Sequence, residues 1–347
     1  MTRNADIPLS VLDVVPVFDG GSATQALRDT VALAPHIEEL GFLRYWVAEH
    51  HSTPSLATSA PGVLAGSIAA ATTTLRVGSG GVLLPNHAPL VVAEQFGTLE
   101  ALYPGRVDLG LGRAPGTDPL TARALRRVPD RGQDDFPRQV GELLGYFPPR
   151  DANALITAVP AADGGPDAWI LGSSLASAQL AGSLGLPYAF AHQINPQATA
   201  HALERYRASF RPSARLERPR TLISVLVTVA GSDQEAWQVA APYLLGKIAM
   251  RTGQHFDAFP SPQTAAAYPY SPGERQFLDE LAAPQLIGGP ATVRDKLTAL
   301  VARTGADELM ALTVLPRQDE RLRSFALLAE AARGVRPGSA EGVSVRL

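Results

Sequence analysis

The chain has no cysteine among its 347 residues. Disulfides, thiolate metal sites and cysteine nucleophiles are therefore excluded. Excess charge is also missing: 30 Lys and Arg against 33 Asp and Glu leave a net charge of −3. No basic stripe forms, which argues against a nucleic-acid partner. Nothing approaches the uninterrupted apolar run of a membrane helix, and the polar start, Met1–Asp6, carries no apolar signal core. These absences predict a cytoplasmic protein with no membrane partner. What is present in quantity is apolar residue, 46% of the chain, enough for one large core. Length alone suggests two domains, but α/β barrels often exceed that length as one.

Apolar, β-branched runs alternate with helix-like segments. Strands are expected at Leu9–Pro16, Arg44–Glu49, Leu75–Pro85, Val107–Arg113, Trp169–Ser174, Leu186–His192, Leu222–Ala230 and Glu308–Leu315. Their nearly continuous apolar character suits a parallel sheet buried on both faces. Between them, Ser22 is read as the N-cap of a helix reaching Leu40, with Gly41 as its C-cap. Further helices are read over residues 60–71, 89–102, 136–146, 175–184, 198–210, 234–250, 291–303 and 319–332. Arg126-Arg127 falls in an irregular stretch. Residues 251–284, rich in Pro, Ala and aromatics (Phe256, Phe259, Tyr268, Tyr270), break the rhythm and read as a lid or insertion before the last strand. Residues 336–347 read as a loose tail. The pattern predicts one α/β domain over residues 1–347, a (β/α)8 barrel. An open doubly wound sheet is the alternative, but the first strand lacks the Gly-x-Gly-x-x-Gly turn expected there.

In a barrel, all carboxyl ends of strands surround one mouth. Here they read Glu49-His50-His51, Ser79-Gly80-Gly81, Gly110-Leu111-Gly112-Arg113, Gly172-Ser173-Ser174 and His192. Gly172-Ser173-Ser174 precedes a helix carrying Ser177 in its first turn, an arrangement able to receive a phosphate on free N–H groups or simply to cap the helix. Arg113 could pair with the same phosphate or form an ordinary surface ion pair. Glycines on two adjacent strands would open a slot for a planar ring. His50 could move a proton near neutral pH. His51 and His87 are second choices; His36 and His201 fall in helices and read as surface.

Several of these stretches together resemble one family. They are Glu49-His50-His51, Val77–Pro85, Ala93-Glu94-Gln95, Tyr103–Arg113 and Gly185-Leu186-Pro187. The chain is similar here to the bacterial luciferase-like flavin-dependent monooxygenases, in particular to their short branch often found in natural-product clusters. The resemblance runs from Leu9 to about Ala332 and is tightest over residues 44–118. It implies a (β/α)8 barrel that binds reduced FMN and reacts it with dioxygen to a flavin C4a-hydroperoxide. His50 falls on the family's active-site histidine. Arg113, Ser174 and Ser177 fall on its phosphate contacts, with Gly172, Ser173 and Leu175 beside them. Ser79, Gly80 and Gly81 fall under the flavin ring, with a cis peptide between the glycines. His51, His87 and His192 are candidates on the substrate side. Gly112 and His192 stand where the light-emitting enzymes have cysteine and tryptophan, which sets this chain apart from aldehyde oxidation with light.

The leading expectation is thus oxygenation of a small apolar or aromatic molecule, with reduced FMN from a separate NAD(P)H–flavin reductase and, by the resemblance, a homodimer. A deazaflavin enzyme transferring hydride without oxygen is the alternative. A metal-dependent hydrolase on Glu49, His50 and His51 would need more ligands, and the first strand offers only Asp13. No metal is expected. A non-catalytic flavin-binding protein is a further alternative.

Overall fold

The computed structural model describes residues 6–113, 118–125, 135–148, 153–161, 163–253 and 257–338. Arg126-Arg127, Phe256 and most of the expected tail lie outside these described residues. The strands are β1 (Leu9–Asp13), β2 (Arg44–Val47), β3 (Arg76–Leu83), β4 (Val107–Gly112), β5 (Asp167–Gly172), β6 (Tyr188–Ala191), β7 (Thr221–Val229), β8 (Leu286–Gly288) and β9 (Glu308–Leu312). The helices are α1 (Ala23–Glu39), α2 (Pro61–Ala71), α3 (Pro89–Leu102), α4 (Pro119–Ala124), α5 (Phe136–Gly145) and α6 (Leu175–Ser183). They continue with α7 (Thr199–Ser209), α8 (Asp233–Arg251), α9 (Pro262–Ala267), α10 (Pro272–Ala282), α11 (Pro290–Thr304) and α12 (Gln318–Ala331).

Eight parallel strands close a ring in the order β6-β5-β4-β3-β2-β1-β9-β7, and β6 pairs back onto β7. This is the (β/α)8 barrel expected from the alternation. β8 lies outside the ring, paired only with the far end of β7, Val227–Val229. Sequence reading passes over it, because three residues between Gln285 and Gly289 are too few to show a period. The first strand also ends at Asp13 rather than Pro16, where the chain turns through Val15 at φ +48°. Residues 251–284 contain α9 and α10; Phe259, ahead of α9, packs on Phe18 and Tyr243 with ring centroids 5.5 and 5.6 Å apart.

Inside the ring, side chains form layers. Trp46 and Trp169 meet edge to face at 5.4 Å in the middle, with Leu12, Leu222 and Met310. Below them, at the amino ends of the strands, is a buried floor of charge. Arg44 Nη1 donates to Asp108 Oδ2 and Arg44 Nε to Glu308 Oε1, each at 2.6 Å. Ser10 donates to Glu308 Oε1 at 2.6 Å, and Arg76 donates to Asp108 Oδ1. The floor closes one end of the barrel, and towards the other end β3 and β4 carry small residues. Above the tryptophans the wall is Ala48, Leu171 and the glycines of β3 and β4.

Candidate active site

The site begins where β1 and β2 end. Val15 has left-handed backbone, uncommon for a β-branched residue. Its N–H donates to Asp13 Oδ1 at 2.8 Å. The Asp13 carboxylate also accepts from Thr30 (2.8 Å) and Tyr45 (2.5 Å) and pairs with Arg321 (2.9 Å). Burial pushes the Asp13 carboxyl up, but Arg321 and these hydrogen bonds outweigh it and hold it below the ordinary value. Asp13 is therefore engaged in shaping the turn and is not free to ligate a metal. The turned chain takes the loop after β2: Val15 O accepts from Ala57 N, and Ser55 O from Val17 N. Thr58 completes the clamp, its carbonyl accepting the His50 N–H at 2.7 Å and its hydroxyl donating to Ala48 O.

His50 is thus held by its backbone, while its ring Nδ1 is buried without a hydrogen-bond partner. Burial pushes its pKa down to about 4; Lys247 on α8 pushes the same way, against Glu49. The imidazole is neutral at neutral pH, with a vacant position on Nδ1 to receive or deliver a proton. Histidine NMR should show His50 charging near pH 4 rather than near 6.5. An ordinary titration near 6.5 would place the ring in water and contradict this geometry.

Glu49 organises the other two histidines. His51 Nε2 and His87 Nε2 approach its Oε1 at 2.8 and 2.9 Å, and Leu83 N–H donates to Oε2 at 3.0 Å. Burial would raise the Glu49 pKa, yet the bonds from His87, His51 and Leu83 lower it on balance. The carboxylate stays charged, so both imidazoles present Nε2–H to it and turn their Nδ1 edges elsewhere. Among the described residues, Glu49, His51 and His87 form the one cluster of potential metal ligands, all within 4.8 Å. His87, not His50, is the third member, and N–H donors already fill the carboxylate.

Across the barrel, the slot expected at the glycines of β3 and β4 is instead a close approach of the two strands. The Gly80–Gly81 peptide bond is cis, and the β3–β4 register shifts between Ser79 and Val82. A Cβ on Gly80 would lie 2.5 Å from Leu12 Cδ1, one on Gly81 2.7 Å from Gly110 O, and one on Gly110 2.2 Å from Ser79 O. Only glycine lets the two strands meet so closely. Ser79 does not offer its hydroxyl to the mouth: it is fully buried and bonds the Gly110 carbonyl and N–H at 3.0 and 3.1 Å. Leu111 lies opposite Ile170, so two residues further along, exposed Arg113 comes beside Gly172. There Ser174 caps α6, its Oγ accepting from Ser177 N at 3.3 Å. Leu175 is exposed at the helix start.

The structure thus brings His50, His51, His87, Gly80, Gly81, Arg113 and the Gly172–Ser177 turn to the same end of the barrel. It withdraws His192, which is fully buried with Nδ1 2.8 Å from Thr199 Oγ1 and Nε2 2.9 Å from Pro284 O. That ring ties the end of β6 to the segment before β8 and has no nitrogen left for a substrate. His36 and His201 are exposed on helices, as expected. Sequence reasoning missed Lys247, which carries no local signal on α8, and the partnering of Glu49 with His87, 38 residues away. A cavity of about 290 Å³ bordered by Asp19, Ser22, Asp29 and Arg321 opens between the starts of α1 and α12. It shares no residue with the strand-end cluster, where the chemistry-bearing side chains converge.

The sequence profile of the luciferase-like monooxygenases matches residues 8–308. The chain belongs to that family. A luciferase-like monooxygenase of Escherichia coli K12 is 44% identical over 92% of this chain and 96% of its own length. Uncharacterized protein YvbT of Bacillus subtilis is 44% identical over 94% and 97%. The crystal structure of apo-MsnO8 superposes with a TM-score of 0.87 at 41% identity, covering 95% of this chain and 99% of that one. Two remoter structures share the fold alone. They are the oxygenating constituent of 3,6-diketocamphane monooxygenase from Pseudomonas putida, in complex with FMN (19% identity), and an F420-dependent secondary alcohol dehydrogenase (13%). Membership makes this luciferase-like monooxygenase an oxidoreductase. Among the described residues, no helix is long and apolar enough to cross a membrane.

Proposed function

We propose that this luciferase-like monooxygenase is a cytoplasmic, FMN-dependent enzyme that oxygenates a small apolar or aromatic molecule. The observation that carries the reading is one juxtaposition: a part-buried, neutral histidine with a buried, vacant Nδ1 at the same end of the barrel as the cis Gly80–Gly81 peptide and a capped helix start. The residues present fit FMN, since the Gly80–Gly81 peptide at the strand ends offers backbone without side chains and the His50 Nδ1 at the same end of the barrel is buried with no hydrogen-bond partner among the described residues. When bound, reduced FMN supplies the electrons and the reaction with dioxygen. The backbone of Gly80–Gly81 would support the ring, with Ser79 tying it to Gly110 of β4. Arg113, Gly172, Ser173, Ser174, Leu175 and Ser177 would hold the phosphate by N–H groups, hydroxyls and the guanidinium. His50 holds or delivers a proton at Nδ1, and His51 and His87, turned by Glu49, line the substrate side. Residues 251–284 exclude water as a lid; Arg251 lies over the Phe277 ring at 4.5 Å, and Tyr268 meets Tyr270 edge to face at 4.9 Å.

The partners follow from the same reading. No nicotinamide motif is present in the sequence, so a separate NAD(P)H–flavin reductase supplies the reduced cofactor. A second copy covers α2 and the end of α3, where Val63 is 76% exposed and Leu102 65% exposed. Titration with FMN, reduced FMN and a deazaflavin tests the cofactor. Tight deazaflavin binding with no affinity for FMN would replace the proposal by hydride transfer without oxygen. Arg113→Ala should weaken FMN binding more than His50→Ala, since a charge-assisted hydrogen bond is worth about 1.5–3 kcal/mol, roughly tenfold to a hundredfold. Equal affinities of the two variants would remove Arg113 from the phosphate site.

A further inference from the structure

Tyr188 stands on β6, beneath the start of α6, and no local pattern marks it. Its ring is fully buried and packs on Tyr206 and Phe190 at centroid distances of 5.5 and 6.2 Å, so it cannot swing. Its hydroxyl oxygen lies 2.9 Å from Ser177 Oγ and 3.2 Å from the Ser174 carbonyl oxygen. Ser177 Oγ lies 2.8 Å from that same carbonyl. A Cβ on Gly172 would fall 2.1 Å from Ser177 Oγ, so the glycine makes room for this hydroxyl cluster. Burial pushes the Tyr188 phenol well above its usual range, so it keeps its hydrogen.

The hydroxyl hydrogens of Tyr188 and Ser177, with that of Ser174 whose Oγ lies 3.3 Å from Ser177 Oγ, serve this cluster; two of their arrangements matter here, and neither moves a heavy atom. In one, Ser177 donates to the Ser174 carbonyl and Tyr188 donates to Ser177 Oγ. In the other, Tyr188 donates to the Ser174 carbonyl, and the Ser177 hydrogen is released to point away from the helix. A phosphate oxygen at the start of α6 can accept from Ser177 once its hydrogen leaves the Ser174 carbonyl, and the second arrangement is the one in which a side-chain donor still serves that carbonyl.

We infer that Tyr188 is a positioning residue for phosphate: by taking over the Ser174 carbonyl it frees the Ser177 hydroxyl to donate to the ligand. The inference rests on the proposed FMN reading and adds to it a residue that touches no cofactor atom. Without the phenol hydroxyl, the Ser174 carbonyl loses its replacement side-chain donor whenever Ser177 turns outward and keeps only the Ala178 N–H at 3.3 Å. The effect must therefore be specific to ligands that carry a phosphate.

The test compares oxidised FMN with riboflavin, which is FMN without its phosphate, by fluorescence titration of wild type, Tyr188→Phe, Ser177→Ala and the double variant. Phenylalanine keeps the ring packing, and circular dichroism and thermal melting check that it does. Tyr188→Phe should weaken FMN roughly three- to tenfold, the range of one neutral hydrogen bond, and leave riboflavin unchanged. In the Ser177→Ala background it should add nothing further, because the two changes remove one coupled interaction. Wild-type discrimination that Tyr188→Phe keeps in full would overturn this inference alone. Equal weakening of both flavins, or an undiminished effect in Ser177→Ala, would also overturn it by assigning Tyr188 to packing. Wild-type protein that binds FMN and riboflavin alike would sink the phosphate reading and this inference with it.

Discussion

His50→Ala should cut oxygenated product by about 10²–10⁴-fold, the usual worth of general acid–base help, while oxygen uptake and hydrogen peroxide release continue. The expectation follows from how the residue is held. Its backbone N–H bonds Thr58 O, a contact that alanine retains, so the loop and the mouth should keep their shape. What disappears is the buried Nδ1, which has no hydrogen-bond partner among the described residues. His51 and His87 are poor substitutes, because each spends Nε2 on Glu49. The reaction of reduced flavin with oxygen belongs to the cofactor and should persist, leaving a leaky oxidase. The measurement supplies reduced FMN from any reductase and follows peroxide and product together. Unchanged product yield in the variant would take His50 out of the mechanism.

The second large effect is on stability. Arg44→Met should destabilise the barrel by about 3–5 kcal/mol, the cost of breaking a buried charge network from one side. Arg44 is fully buried between Asp108 and Glu308 and stacks on Trp169 at 5.0 Å. Methionine keeps much of the volume but leaves two carboxylates facing each other across a dry floor, with Arg76 remaining to Asp108 and Arg220 to Glu308 at 3.5 Å. The pH dependence identifies the cause. In the wild type, burial raises the Asp108 pKa, but Arg44 and Arg76 outweigh it and hold it below 3.8. Its stabilising contribution is therefore present above the unfolded value and is lost as pH falls through the folded one. In the variant burial gains the upper hand, the folded state takes up protons more readily than the unfolded, and the gap to wild type should narrow on acidification. Urea unfolding at neutral and mildly acidic pH reads both quantities. A constant gap would mean that lost packing, not unpaired charge, sets the cost.

The sequence by itself determined the barrel, because what specifies it is local. Apolar runs, helix periods, the Ser22 cap and the breaks at Gly41 and Gly105 need only near neighbours to be read. Once eight strands alternate with helices, closure brings their carboxyl ends to one mouth, so the placement of His50, Gly80–Gly81, Arg113 and Ser174 was legible as well. Partnering was not legible. Arg44 and Glu308 are 264 residues apart, and Glu49 and His87 are 38; no periodicity records which strand will face which. Ser79 reads like a site hydroxyl and turns inward, because β4 lacks side chains at Gly110 and its backbone lies within reach. His192 reads like a mouth histidine and is spent on Thr199 and Pro284. Tyr188 reads as core and proves to touch Ser177. Hydrophobic pattern is a one-dimensional property of each segment, whereas the direction and pairing of a polar side chain depend on surfaces that exist only after the ring has closed.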